Sequence, residues 1–398
     1  MEQSSTILFV DSDKNQLQSL QRSLRSYQDQ WDLHYVEDTD SALAVMQKEP
    51  VDILVCETQL NSGKGSDLLE QAQALNPLAT RLLFSGQTLR DPAQEMVQHA
   101  HQFIAKPCAI ETLVSILERI IALRNMLNNQ AMQEMINSLG SLPSLPDIYY
   151  RLIELLRSES ATVHDIGLLV EQDLALSTKV LQMVNSAFFG LSRHISSPVH
   201  AVSLLGIETI SSLALTAGIF TILKPSQLKS FNLEALWQHS LSVAGLTKAL
   251  CAEAGLTKQE SELPVMASLL HDLGKLVLIT ADAEEYQRIL TQAKQQDLPL
   301  HLVEEESLWV DHAVVGAYLM GLWGLPIDAV EAVALHHKPE MQRVEQRHSL
   351  VVYAANLLIH NQTDSAHYAT DDLEALLGSD QFESWVKITR EYLDGEAA

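Results

Sequence analysis

"VDILVCETQL", residues 51–60, is the stretch from which the fold of the N-terminal part can be read. Ile53 to Cys56 are apolar without alternation, as in a strand buried on both faces, and the run then gives way to Glu57 and a loop. Outward from it, "TILFV" (6–10), "LHYV" (33–36), "RLLFS" (81–85) and "FIA" (103–105) are further short apolar runs. They alternate with amphipathic stretches such as "SALAVMQK" (41–48) and "DLLEQAQAL" (67–75). Strands alternating with helices imply a doubly wound, five-stranded parallel sheet, and such sheets bind ligands at the carboxyl ends of their strands. At those ends stand Asp11 and Asp13 after the first strand, Glu57 after the third, Ser85 on the fourth and Lys106 after the fifth. Acids, a hydroxyl and a lysine at one edge suit a hard cation and a phosphoryl group.

Bulk properties narrow the function classes. A chain of 398 residues, 46% of them apolar, is long enough for two or three domains with their own cores. The formal net charge of -25 disfavours nucleic acid and anionic membrane surfaces, which are bound through clustered Lys and Arg. The three cysteines, Cys56, Cys108 and Cys251, are scattered, and no basic-then-apolar leader opens the chain, so a reducing, cytoplasmic setting is expected. One apolar stretch, residues 201–223, has the length of a membrane span, but Glu208 and its small polar residues favour a core helix, so no membrane insertion is expected.

The residues at the strand ends, in this order, make residues 5–122 resemble a response-regulator receiver domain. The resemblance implies that "ILFVDSD" is the metal-binding acidic turn, Ser85 the hydroxyl that senses the phosphoryl group, Lys106 the invariant lysine and Phe103 the aromatic switch residue. It also implies an aspartate phosphoacceptor where this chain has Glu57, and a second turn acid where it has Ser12, unless Asp13 substitutes. Glutamate carries its carboxylate one methylene further, which spoils the in-line geometry of phosphotransfer, and its fixed negative charge, paired with Lys106 and Ser85, would imitate the phosphorylated state. We therefore expect a pseudo-receiver that is not conventionally phosphorylated and binds Mg²⁺ weakly. Whether the fixed charge locks the domain on or leaves an interaction surface stays open.

Beyond the sheet the pattern becomes helical. Leu113, Leu117, Ile120, Leu123 and Leu127 keep a helical period into a connecting helix, near-heptad over a short span, which fits either packing on the chain's own domains or a homodimer. "LPSLP" after Gly140 marks a new domain. In the helical region the chemistry-bearing residues are His239, His271-Asp272 in "LLHDLGKL", His312 in "VDHAVVGAYL" and His336-His337 in "ALHHKP". A single helical histidine is ordinarily a hydrogen-bonded core residue. An adjacent His-Asp followed by Gly-Lys, with further histidines spread this way, points instead to imidazoles and a carboxylate around one or two divalent ions (Fe, Mn, Zn or Mg). Lys275, one turn beyond His271, is the candidate for steadying a phosphate.

From residue 138 to about 340 the chain resembles the HDOD domain, a regulatory relative of HD-type metal-dependent phosphohydrolases; "LPSLPDIYYRLIELL", "LWQHSLSVA", "LLHDLGKL" and "DHAVVGAYLMGLWGLP" carry the likeness in order. The resemblance places His239, His271, Asp272, His312, His336 and His337 at ligand positions. It also implies a further carboxylate where "VVYAANLL" has Asn356, and a neutral amide is a poorer cation ligand. The Gly-Tyr-Pro segment found after the paired histidines in cyclic di-GMP phosphodiesterases is absent.

The expected architecture is multidomain, α/β followed by all-α: a receiver-like domain over 1–122, a helical linker over 123–140, an HDOD domain over 141–340 and a helical extension over 341–398 that completes the HDOD bundle. The expected function is a two-component, phosphorelay-type regulator whose degenerate receiver controls how the HDOD module meets protein partners. Two rivals stay open: a metal-dependent phosphohydrolase acting on a nucleotide or cyclic dinucleotide, and a sensor that binds such a nucleotide ligand without turning it over.

Overall fold

The structure is a computed structural model and describes residues 5–85, 99–126, 151–152, 155, 162–171, 177, 180–181, 184, 195, 197–205, 210, 231–342, 347–363 and 370–396. Two compact units result, the first made chiefly of residues up to Asp147 and the second chiefly of those from Ile148 onward. The linker residues 127–140 and most of the apolar stretch 201–223 lie outside the described residues, as do the side chains of Ser85 and Phe103.

In the first unit the apolar runs form β1 (Ser5–Val10), β2 (Trp31–Val36), β3 (Ile53–Cys56), β4 (Thr80–Ser85) and β5 (Gln102–Ala105). They pair in parallel in the order β2-β1-β3-β4-β5, with Phe9 opposite Val55 and Val55 opposite Leu82. Between them run α1 (Lys14–Ser23), α2 (Thr39–Lys48) and α3 (Gly65–Leu75), and α4 (Ile110–Met126) follows the last strand. The two-residue side-chain period divides the core. Ile7, Phe9, Val55 and Leu82 join Leu17 and Leu20 of α1 and Leu113, Leu117 and Ile120 of α4 in one buried cluster. Leu8, Leu54 and Leu83, equally buried, alternate to the other face.

Strand order reverses at β1 and β3, which opens a crevice beyond their carboxyl ends. The loop after β3 returns close to its own start: Gly65 N–H donates to the Thr58 carbonyl at 2.9 Å, and a Cβ at Gly65 would collide with the Glu57 carbonyl oxygen. Only glycine lets α3 begin there, and that approach fixes the backbone that carries Glu57.

The second unit is helical wherever it is described. α5 (Val163–Glu171) and α6 (Pro198–Leu205) pack together, and their core takes in Trp237 and Leu241 of α7 (Leu233–Glu253). α8 (Glu262–Leu270) breaks at His271 and Asp272 before α9 (Leu273–Ala281). Then come α10 (Ala283–Gln296), α11 (Leu300–Leu308), α12 (His312–Leu322), α13 (Ile327–Ala334) and α14 (Arg347–Thr363). Helices α7, α8, α13 and α14 pack on one another. The C-terminal α15 (Asp371–Leu377) and α16 (Ser379–Glu396) cover α7 and α14, with Trp385 buried among Leu250, Tyr353 and Leu357 in a shared core. Among the described residues one stretch, Glu262–Ala281, is long and apolar enough to cross a membrane; it is 78% buried and supplies the core helices α8 and α9.

Candidate functional sites

The first site is the crevice at the strand ends, a cleft of about 480 Å³ lined by Asp11, Ser12, Asp13, Glu57, Lys106 and neighbouring loop residues. β1 ends at Val10 and is followed by Asp11, which is 6% exposed. One Asp11 oxygen accepts the Asp13 backbone N–H at 2.8 Å and the other accepts the Lys106 ammonium at 2.6 Å. Lys106 also donates to Glu57 Oε2 at 2.5 Å. The second Glu57 oxygen, Oε1, accepts both the backbone N–H and the hydroxyl of Thr58, each at 2.7 Å. The ammonium thus stands between the two carboxylates, where a bound cation would otherwise balance them. Burial by itself lowers the pKa of Lys106, but its hydrogen bonds to Asp11 and Glu57 outweigh that and hold it above the ordinary lysine value. The Phe84 ring lies 4.9 Å from Nζ and adds a cation–π contact.

Two of the turn residues have local tasks. Asp13 caps α1, its carboxylate accepting from Asn15 N at 2.8 Å and Gln16 N at 3.4 Å. Ser12 donates to the Glu37 carbonyl and accepts the Asn61 N–H, tying two loops together. The donor set left for a metal is therefore poor, because both turn acids and Glu57 already accept internal donors. Thr58 and Phe84 are the contributors that sequence reasoning missed.

The second site gathers the histidines. His271 and Asp272 sit at the break between α8 and α9, and Gly274 explains their placement. A Cβ there would collide with the His312 carbonyl oxygen, so glycine alone lets α9 approach the start of α12 and sets Asp272 beside His312. Their closest atoms, Asp272 Oδ1 and His312 Nε2, are 3.1 Å apart. On its other side, Asp272 Oδ2 is 3.5 Å from His271 Nε2 and 3.8 Å from His239 Nε2. Two groups of donor atoms follow, each within 4.8 Å of one another: His239, His271 and Asp272, and His312, His336 and His337. The six residues assigned to this site from the sequence are thus brought together.

Their second ring nitrogens are anchored. His271 Nδ1 lies 2.6 Å from the Ser268 carbonyl, and His336 Nδ1 lies 2.6 Å from that of Val333. A carbonyl only accepts, so Nδ1 carries the proton and Nε2 keeps its lone pair. Both Nε2 atoms are buried and lack a hydrogen-bond partner. His312 Nδ1 is held by Glu304 at 2.6 Å, a residue with no exposed surface that also accepts from the His312 backbone N–H at 2.9 Å and from Tyr286 Oη at 2.6 Å. Histidines backed by carbonyls and a carboxylate, with nitrogen lone pairs turned inward, are the donor arrangement of a protein metal site. The residues present are His and Asp groups that could hold a divalent ion.

The electrostatics agree with neutral ligands. Burial drives His271 down to about 4 and holds His239, His336 and His337 well below the ordinary histidine value. His312 is the exception: burial opposes its charge, but Glu304 and then Asp272 lift it to about 9. Lys275 donates to Asp272 Oδ2 at 2.7 Å, so its first task is to neutralise that carboxylate. It also borders a cleft of about 600 Å³ shared with His239, Asp272 and His360. Asn356 lies within the site, its Oδ1 3.1 Å from His239 Nε2.

Sequence reasoning missed Glu304, His301 and His360. Glu304 sits in "VEEES", which reads as a solvated acidic face, and nothing in the pattern singles it out. His301 stacks on His337 with ring centroids 4.1 Å apart. His360 follows Asn356 by four residues on α14, a spacing that would have revealed it.

Comparison with known proteins agrees with both halves. The response regulator receiver domain profile matches residues 7–118, and the HDOD domain profile matches residues 142–339. An uncharacterized protein of Treponema pallidum (strain Nichols) is 26% identical over 203 residues, 50% of this chain and 38% of its own length, so this chain spans well under two thirds of that relative. Among solved structures, an HDOD domain protein with unknown function from Geobacter sulfurreducens is similar with a TM-score of 0.51 at 24% identity, over 65% of this chain and 86% of its own. A protein of Shewanella amazonensis SB2B, provisionally described as a phosphohydrolase, reaches 0.51 at 20% identity, over 68% and 98% respectively. At these identities the likeness speaks for the fold alone. The chain carries a response regulator receiver domain followed by an HDOD domain.

Proposed function

We propose that the chain is a cytoplasmic signalling regulator whose receiver is set by internal charge pairing instead of phosphotransfer, and whose HDOD domain is the output surface for protein partners. A receiver fused to an HDOD domain fits a signal transduction regulator. The finer reading is supported by the Lys106 ammonium, which bonds Asp11 and Glu57 at once. An incoming phosphodonor would meet a carboxylate one methylene too long for in-line attack and already engaged on both oxygens. Hydrogen exchange tests this reading. Adding acetyl phosphate and Mg²⁺ to the wild type is expected to leave the exchange pattern of the helical domain unchanged, whereas Lys106→Ala is expected to alter it. A response of the wild type to the phosphodonor would defeat the proposal.

One observation favours a second reading, a metal-dependent phosphohydrolase: the buried, inward-facing Nε2 atoms of His271 and His336 beside Asp272. A divalent ion bound there would supply a water activated toward a phosphoester. His271, Asp272, His312, His336 and His337 would hold it, Glu304 would orient His312, and Lys275 would balance Asp272. Hydrolysis of a generic phosphodiester by metal-loaded wild type, lost in Asp272→Ala, would establish this reading over the first.

A further inference from the structure

We infer that Asp32, His34 and Glu49 form a divalent-metal site at the β2 edge of the sheet, with a preference for Zn²⁺. None of the three belongs to the crevice or to the histidine cluster. Asp32 and His34 stand two residues apart on β2, the strand that begins the sheet order, so their side chains leave the same face. Leu33 and Tyr35 turn the other way, onto the buried cluster that holds Phe9. Glu49 is the extended residue that ends α2, where the chain returns toward the start of β3.

His34 Nε2 lies 3.4 Å from Asp32 Oδ1 and 3.5 Å from Glu49 Oε1, and one donor atom of each residue lies within 4.8 Å of the other two. The nitrogen has almost no exposed surface, yet it makes no hydrogen bond to either oxygen. Among the described residues no hydrogen bond and no further ion pair engages these three side chains, so all three donors are available. Two carboxylates this close repel each other unless a positive charge stands between them. Around a tetrahedral Zn²⁺, with bonds of about 2.0–2.2 Å, neighbouring donor atoms are about 3.4 Å apart, close to both distances from His34. An octahedral Mg²⁺, with bonds of about 2.1 Å, would need them at about 3.0 Å. One imidazole with two carboxylates likewise suits Zn²⁺ better than an ion that prefers oxygen alone. The Asp32 side chain is 53% exposed, so the fourth position opens to solvent and takes water. A bound ion would tie β2 to the end of α2.

The test is a Zn²⁺ titration of the full chain with two readings: bound Zn²⁺ per chain by equilibrium dialysis, and exchange of each histidine's C2 hydrogen by peptide mass spectrometry. The second reading separates His34 from the histidine cluster. Zn²⁺ is expected to slow exchange at His34 in the wild type, and Mg²⁺ in its place is not. Asp32→Asn and Glu49→Gln, which keep the side-chain shape, should each weaken the response of His34 about tenfold or more, since even an outer partner of a ligand is worth about that much. Asp32→His, which offers a second imidazole, should bring tight Zn²⁺ binding back and shows that a loss in the other variants is not misfolding. Exchange at His34 that ignores Zn²⁺ would mark the three residues as a plain ion pair and overturn the inference. So would Asp32→Asn and Glu49→Gln chains that take up Zn²⁺ in wild-type number and with wild-type affinity.

Discussion

Glu57 differs from aspartate by one methylene, and that methylene lets its carboxylate reach Lys106 directly while Oε1 folds back onto Thr58. Removing the ammonium would leave Asp11 and Glu57 facing each other in a crevice where Asp11 is 6% exposed. Lys106→Ala should therefore destabilise the first unit by about 1–3 kcal/mol, and Glu57→Gln in the same chain should recover part of the loss, both read from urea unfolding. The histidine cluster makes a pH prediction. His271 titrates at about 4 and His301 at about 3 in the fold, against roughly 6.5 in an unfolded chain. As pH falls from about 6.5 toward 4, the unfolded chain takes up protons that the folded site refuses, so stability is complete above that window and lost within it. His312 has the opposite sign: lifted to about 9, its contribution is complete below about 6.5 and lost as pH rises through about 9. Unfolding midpoints of metal-free protein should fall on acidification, and less steeply for His271→Gln. A midpoint that rises on acidification would contradict the buried, neutral histidines.

Elements bring these residues together, and the junction of α9 with α12 matters most. Gly274 lies against the His312 carbonyl, so Gly274→Ala must push the two helices apart. The expected result is a loss of about 1–3 kcal/mol from overpacking, with metal uptake falling because Asp272 is drawn away from His312. A variant of full stability and full metal content would show that the close approach is dispensable. The element scale also shows what the sequence could tell. The strands were legible because buried parallel strands are continuous apolar runs, and their ends pointed to Asp11, Glu57 and Lys106. The two tasks taken by Asp13 and Ser12, capping α1 and tying loops, were not, since a turn acid and an N-cap acid look alike in a string of letters. Glu304 was hidden for a similar reason: its burial depends on α10 and α11 folding over it, which no local spacing records.

At the scale of the molecule, the change from β-α alternation to unbroken helical periodicity announced a sheet unit and a helical unit, and the structure has both. The extension over 341–398 was expected to complete the bundle, but whether its last helix caps the core or offers a partner surface was less legible. Trp385, 1% exposed and packed with Leu250 and Tyr353, makes α16 part of the helical core, so Trp385→Ala should cost about 3–5 kcal/mol in the unfolding of the second unit. The order of domains fits a signal transduction regulator, and in its receiver Lys106 bonds Asp11 and Glu57 at once. The most direct measurement is therefore phosphoryl incorporation, followed by intact-protein mass and by beryllofluoride binding in the presence of Mg²⁺. The account predicts that wild type gains no phosphoryl group and binds no beryllofluoride at the strand ends, whereas Glu57→Asp does both. Modification of wild type at Glu57, or beryllofluoride binding there with the affinity of an ordinary receiver, would contradict it.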